Sequence, residues 1–372
     1  MLKKVAFLMF LLLAAGSISG CWDYRDINKV YFPSIGAYDL CELPSQPRPY
    51  VKLINVITDI SPEAPSRYRI ETTIGPTVGN ARRQKAYYAP GEYSPGVSAV
   101  AVLGEDLVRG DDCVPMDALF RTTIIPESVD MAVAEGKAED MLRLPIRDYN
   151  NIGDYLKVFL RGAGRRAYIP SCTLHNYMVN NAPGKNPVMP LLTIKNHQVK
   201  IAGAAIFRKE FMIGKADVDE TRALMMLRGM KSRGVLFYKI KQDDKTLDKG
   251  SVEVDNRRQV KVVRSGDDFT FIITIDLNGT LVDHQSDKLF TKNEELGKII
   301  EKQIASDVAS QCAAFVKKMQ QEYRVDCIDI SKYALAQSRK ELSPIIDKEE
   351  FIQNAVIQVN VNMKLRNIGE LT

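Results

Sequence analysis

One tryptophan and three histidines in 372 residues leave little material for several common kinds of site. The histidines, at 175, 197 and 284, are 22 and 87 residues apart, without metal-ligand spacing, so no metal centre is expected. Six cysteines include no C-x-x-C pair, and they are too sparse for a disulfide scaffold. Positive charge is not concentrated either: 51 Lys and Arg stand against 46 Asp and Glu, an excess of five. That excess is too small and too dispersed to expect a nucleic-acid partner. G-x-S-x-G, S-x-x-K, G-x-x-x-x-G-K-[ST], H-E-x-x-H and a dinucleotide fingerprint are all missing, so no enzyme template and no cofactor is expected. There is no internal repeat or low-complexity tract. What remains is an ordinary globular composition, 45% apolar and 26% charged, at a length that suits two or three domains.

The first thirty residues are more specific. Lys3 and Lys4 precede an apolar stretch from Val5 to Gly16. As a helix it spans about 18 Å, short of the ~30 Å hydrocarbon core, so it reads as an export signal rather than a membrane span. Small and polar residues then lead into Ile18-Ser19-Gly20-Cys21, which resembles a bacterial lipobox. By that resemblance residues 1–20 are a lipoprotein signal peptide cleaved after Gly20. Cys21 is then the lipid attachment site, thioether-linked to diacylglycerol, with palmitate among the acyl chains. Two acyl chains are enough for stable anchoring.

The mature chain reads as grouped strands and helices, an α+β pattern. Strands are expected over Tyr50 to Ile60, Val97 to Leu103, Val129 to Ala134, Leu191 to Ile194 and Ile201 to Phe207. Residues 22–60 otherwise mix short apolar stretches with Pro44, Pro47 and Pro49, and residues 75–96 read as a long loop. Helices are expected near Lys137 to Leu142, over Ile152 to Leu160, over 172–180, and from Glu220 to Arg228 behind an Asp219 cap. Two strands near 251–255 and 259–264 flank a polar bend. Phe269 to Leu277 alternates at period two and ends in an Asn278-Gly279 turn. A long amphipathic helix from Asn293 to Tyr323 carries the stripe Leu296, Ile299, Ile300, Ile304, Val308, Cys312, Phe315, Met319 and Tyr323. Cys312 on that stripe reads as a buried thiol. The last strand alternates cleanly from Ile357 to Leu365, with Gln358, Asn360 and Asn362 on its polar face.

One segment imitates a catalytic motif. Asp276-Leu277-Asn278-Gly279-Thr280 resembles the D-x-D-G-T loop of haloacid-dehalogenase-type phosphatases, but Asn278 cannot serve as the general acid. The basic groups Arg82/Arg83/Lys85, Arg161/Arg165/Arg166 and Arg257/Arg258 read as solvated charge; a face against anionic headgroups is the alternative. Asp243-Asp244 and Asp267-Asp268 read as loop charges.

Several motifs then coincide. Cys21-Trp22-Asp23-Tyr24-Arg25-Asp26-Ile27-Asn28 resembles the C-W-D-x-R-[DE]-I-[ND] opening of the C subunits of Ger-type nutrient germinant receptors of endospore-forming Bacillota. Trp22, Asp23, Arg25, Ile27 and Asn28 are the motif positions. Val133-Ala134-Glu135-Gly136-Lys137-Ala138, Pro187 to Leu192, Ala202 to Phe207 and Asp219 to Leu224 resemble later family motifs in the same order. The resemblance implies an elongated α+β molecule of three consecutive domains with antiparallel or mixed sheets. In the last domain a long amphipathic helix packs on a sheet. The expected boundaries are 21–146 (N-terminal), 147–200 (middle) and 201–372 (C-terminal). It implies no enzymatic activity. It implies a lipoprotein in the bilayer through Cys21, on the outer face of the spore inner membrane. The implied partners are the membrane A and B subunits, with a small nutrient germinant whose site the sequence does not reveal. The alternative reading is a lipid-anchored substrate-binding protein of a membrane importer, which calls for two α/β lobes and an aromatic cleft.

Overall fold

The computed structural model describes Val5 and residues 30–367, apart from 45, 47, 59–67, 89–90, 111–117, 120, 123–124, 167–168, 230–232, 243–244, 267 and 286–293. In chain order the strands are β1 (Val30–Tyr31), β2 (Pro33–Cys41), β3 (Tyr50–Thr58), β4 (Tyr68–Gly75), β5 (Glu92–Tyr93), β6 (Val100–Gly104) and β7 (Asp130–Ala134). They continue as β8 (Val188–Lys195), β9 (Gln198–Arg208), β10 (Phe211–Ala216), β11 (Arg233–Gln242), β12 (Lys245–Ser265), β13 (Asp268–His284) and β14 (Val356–Asn367). The helices used below are α1 (Val78–Gln84), α2 (Glu105–Arg109), α3 (Ala138–Leu142), α4 (Ile152–Arg166), α5 (Leu174–Asn180), α6 (Val218–Arg228), α7 (Glu294–Lys318), α8 (Ser331–Gln337), α9 (Arg339–Leu342) and α10 (Glu349–Asn354).

Eight strands form one sheet in the order β10-β9-β8-β7-β6-β2-β3-β4, and β1 pairs with β5 apart from it. Its centre, β2-β6-β7-β8, is parallel, while β3-β4 and β9-β10 flank it antiparallel, so the sheet is mixed. Parallel strands are covered on both faces and read as continuous apolar runs. Every residue of β6 and of β7 is buried. Leu53, Leu103, Val133 and Phe207 fill one face; Ile54, Val102, Ala132 and Leu156 fill the other. Strands from 21–146, 147–200 and 201–372 all take part in this sheet.

The C-terminal half adds a second sheet, β11-β12-β13-β14, with β14 parallel to β13 and the other pairs antiparallel. Phe271, Ile273, Ile275 and Leu277 put their period-two face into a core completed by α6 and α7. The same core takes Val188, Ala204, Ile206 and Ala216 from the eight-stranded sheet, which joins the two sheets. The α7 stripe is buried except at Ile299, which is 45% exposed. A π-turn, Met319–Tyr323, ends the helix.

Local details depart from the sequence reading for physical reasons. Residues 78–84 are helical inside the expected loop: Thr77 caps α1 through the Asn80 N–H at 3.2 Å, and Val78 and Ala81 are buried. Asp217, not Asp219, caps α6. Its carboxylate accepts the Glu220 N–H at 2.8 Å while Glu220 accepts the Asp217 N–H at 3.0 Å, a reciprocal capping box. The polar bend at 256–258 lies inside the continuous β12, because Asn256 and Arg258 turn inward there. Asn278-Gly279 is not a turn. β13 runs through it, and a Cβ on Gly279 would meet Met363 and Val252 at 2.5 Å, so the glycine serves close packing.

Candidate functional site

The expected lipid-anchor and motif residues, Gly20, Cys21, Trp22, Asp23, Arg25, Ile27 and Asn28, lie outside the described residues. So do Cys113, Asp243, Asp244 and Asp267. The Val133–Ala138 motif is described, and it lies at the carboxyl ends of the parallel strands, where sheets of this kind leave a crevice.

The motif builds that end of the sheet. Ala134 closes β7, and the Glu135 N–H continues the ladder to Leu192 O at 2.8 Å. Gly136 then takes φ +78°, a left-handed turn that glycine adopts without cost, and its carbonyl accepts the Glu105 N–H at 3.1 Å. From β2, Asp39 reaches across to the first turn of α3. Its two oxygens accept the N–H groups of Ala138 at 2.7 Å and Glu139 at 2.8 Å. A carboxylate placed so satisfies helix donors that have no partner in the helix itself. Gly104 must be small here, because a Cβ would lie 2.2 Å from Asp39 Oδ1.

Ion pairs surround this junction. Lys215 on β10 bridges Glu105 Oε2 at 2.7 Å and Glu135 Oε1 at 3.2 Å. Partial burial acts to lower the Lys215 pKa, but the two carboxylates outweigh it and hold it above the usual lysine range. Glu139 pairs with Lys52 and with Arg143, the latter at 2.7 Å. Burial acts to raise the Glu139 pKa, and these two cations bring it below the usual carboxylate range. Burial dominates at Asp39 and raises its pKa against the two N–H donors. Asp39, Lys52, Lys137 and Glu139 line a recess of about 370 Å³. It offers both signs of charge to a small polar solute. Asp39, Glu105, Glu135 and Glu139 are each already engaged, so none of them is a free general base.

A second recess, about 460 Å³, opens beside Phe269, Ile345 and Phe351, with Asp268, Lys348 and Glu350 at its rim. It has an apolar base, with the Phe269 and Phe351 rings 5.4 Å apart.

The basic groups are not simply solvated. Lys85 is 2% exposed, donates to Asn55 Oδ1 and sits 4.5 Å from the Tyr93 ring centre. Arg82 donates to Thr122 Oγ1 and to the Ala118 carbonyl. Arg161 pairs with Asp130 at 2.9 Å. Arg258 donates to the carbonyls of Ile328 at 2.8 Å and Asp329 at 3.1 Å, whereas Arg257 is exposed. The side chains of Arg165 and Arg166 lie outside the described ones. Arg83 and Arg161 are exposed, as solvated charge is, and sequence reasoning missed the inward positions of Lys85, Arg82 and Arg258 because a lysine or arginine carries no mark of its depth.

The remaining sequence candidates separate. His175 meets Glu127 at 2.9 Å on the surface, His197 lies in the turn after β8, and His284 ends β13. Asp276 lies mid-strand and accepts the Asn362 amide at 2.8 Å, so the phosphatase-like segment is a ladder rather than a loop. Cys41, Cys172, Cys312 and Cys327 are free thiols, and Cys312 is buried as its stripe requires. Burial pushes the Cys312 thiol up to about 12, away from thiolate chemistry. Among the described residues no cluster of His, Cys, Asp or Glu is arranged to hold a metal ion, and no helix is long and apolar enough to cross a membrane.

Residues 23–194 match the family described as "Spore germination protein N-terminal domain". Residues 202–369 match "Spore germination B3/GerAC like, C-terminal". No curated protein matches the chain. Among solved structures, the crystal structure of the GerBC protein is similar in fold, with a TM-score of 0.57 and 17% identity. That likeness covers 89% of this chain and 97% of the other.

Proposed function

We propose, from the premise that this chain belongs to the GerAC-like spore germination family, that it is the lipid-anchored C subunit of a spore nutrient germinant receptor. The family is one of germination proteins and not a known enzyme family. The observation that carries the reading is the pair of family matches, which together run from residue 23 to residue 369 with a gap only at 195–201. The likeness to GerBC supports the fold on which the reading rests.

In this reading the chain performs no chemistry. Cleavage after Gly20 leaves Cys21 as the first residue, and its lipid holds the body on the outer face of the spore inner membrane. There it assembles with the A and B subunits. A tether raises the effective concentration of two surfaces for each other, so contacts that are weak in solution persist at the membrane. The charged recess beside Asp39, with Lys52, Lys137 and Glu139 in its lining, is where we place a small polar ligand in this reading.

Spores lacking the gene are the direct test. They are expected to lose germination in response to the receptor's nutrient while germinating normally with a stimulus that bypasses nutrient receptors. Restoring the gene restores the response. Unchanged nutrient germination in spores deleted for this chain and its paralogues contradicts the reading.

A further inference from the structure

The four-stranded sheet ends in an open edge. β14 pairs with β13 on one side, from Thr270 opposite Val356 to Leu277 opposite Met363, and among the described residues no strand lies on the other. The Leu365 N–H turns away from β13 and donates to Glu301 Oε1 at 2.7 Å. Backbone groups of a strand alternate in direction, so the N–H and C=O of Ile357, Val359, Val361 and Met363 turn the same way. At the other end of the strand Gln320 Nε2 donates to Ala355 O at 2.8 Å and Ile352 O at 2.9 Å. Helix α7 and its π-turn therefore bond both ends of the edge, and among the described residues no side chain bonds the outward backbone groups between them. Between these two contacts, Ala305 and Ala309 follow Glu301 at four-residue spacing along α7, both half-buried.

Natural sheets guard such edges with lysine, proline or a bulge. Residues 357–363 have none of these; the first charge is Lys364. The segment is instead chemically palindromic. Ile357-Gln358-Val359-Asn360-Val361-Asn362-Met363 alternates apolar and amide from either end. The apolar residues are half-buried against the core, and the amides are exposed on the opposite face.

We propose that this edge pairs with the same edge of a second copy of the chain, antiparallel about a twofold axis through Asn360. Two four-stranded sheets then become one of eight. In this register Ile357 faces Met363 and Val359 faces Val361 of the other copy on the α7 side. Gln358 faces Asn362 and Asn360 faces itself on the outer side. The outward groups of the four apolar residues supply about eight backbone hydrogen bonds. Lys364 falls opposite Val356, so no like charges meet. The same surface serves both copies, as an isologous contact requires. Pairing of β14 with the other sheet edge, β11, is disfavoured, since it sets either Arg233 or the Lys239 and Lys241 end of β11, according to strand direction, near Lys364 and Arg366. The inference rests on strand geometry and stands independently of the receptor reading.

Cysteine crosslinking of the full chain in detergent micelles tests it. Position 360 is a non-hydrogen-bonded pair with a Cα separation of about 4.5 Å, inside the disulfide range of about 4.4–6.8 Å. Under mild oxidation Asn360→Cys is expected to run mainly as a disulfide-linked dimer. Gln358→Cys and Asn362→Cys are expected to stay unlinked alone and to link when mixed. Asn360→Lys, which sets two ammonium groups face to face on an exposed position, is expected to sediment as one chain with an unchanged circular dichroism spectrum. The unsubstituted chain is expected to sediment as two at micromolar concentration. A single-chain unsubstituted protein with unlinked Asn360→Cys overturns the proposal, including the case in which the edge takes up a foreign extended peptide instead. Equal linking of Gln358→Cys alone overturns the register and with it the twofold pairing.

Discussion

Asp326→Ala is expected to lower the free energy of unfolding by about 3–5 kcal/mol, the range for removing one member of a buried charged network. The carboxylate is 5% exposed and holds a tight loop from inside. One oxygen accepts the Ile328 N–H at 3.0 Å; the other accepts those of Ile330 at 2.8 Å and Ser331 at 2.6 Å. The loop's carbonyls are held from outside. Arg228 donates to Cys327 O at 2.7 Å, Arg258 to Ile328 O and Asp329 O, and Asn186 to Asp326 O at 3.2 Å. Asn186 precedes β8 in the eight-stranded sheet, and Arg258 lies on β12 in the other, so the loop ties the sheets together. Alanine leaves three buried N–H groups without their acceptor. Asp326→Asn keeps one acceptor oxygen but turns a donor toward the remaining N–H groups, so an intermediate loss is expected. Burial raises the Asp326 pKa against the Ser331 hydrogen bonds. A raised carboxyl favours the folded state at low pH, and this contribution fades as pH rises through its folded value. Denaturant melts of the two variants check the order: wild type, Asn, Ala. A loss below about 1 kcal/mol for alanine contradicts the network's role.

Lys85 is expected to make stability rise with pH in a window where lysines ordinarily have no such effect. Burial lowers its pKa from 10.5 to about 8, against the attraction of Glu71. Below about 8 both native and unfolded chains hold the proton, and the native state carries the full cost of a buried ammonium. Between about 8 and 10.5 the unfolded chain binds more protons, so stability climbs with pH. The span corresponds to about 3 kcal/mol at 1.36 kcal/mol per pKa unit. Lys85→Met removes the titrating group while keeping an unbranched chain in the core. The stability of the wild type relative to this variant is therefore expected to rise by about 3 kcal/mol from pH 7 to pH 10.5. Taking the difference cancels the tyrosines and carboxylates common to both. A difference that stays level across this window contradicts the burial of a titrating Lys85.

The elements legible in the sequence are those with one buried face. β13 and β14 alternate and α7 carries a 3.6-residue stripe, because each packs one side against a core and leaves the other to water. β2 was hidden by the opposite situation. It lies in the middle of a sheet covered on both faces, so Pro33-Ser34-Ile35-Gly36-Ala37-Tyr38-Asp39 shows no alternation, and its Asp39 serves a helix about a hundred residues away. Helix α1 was hidden because two buried side chains, Val78 and Ala81, hold it against the sheet among glycines and prolines. The Val133–Ala138 motif was visible as a pattern, but its meaning was not. Gly136 is there for its turn, Glu135 for Lys215, and Ala138 for the N–H that Asp39 accepts. None of these partners is within thirty residues of the motif, which is why spacing alone could not find them.

The measurement closest to the central claim is mass spectrometry of the amino-terminal peptide from the membrane fraction of sporulating cells. The account predicts a peptide that begins at Cys21 with a diacylglyceryl thioether on its sulfur, and release of the protein from the membrane in Cys21→Ala. An unmodified Cys21 still joined to Gly20, on a chain found in the soluble fraction, contradicts it.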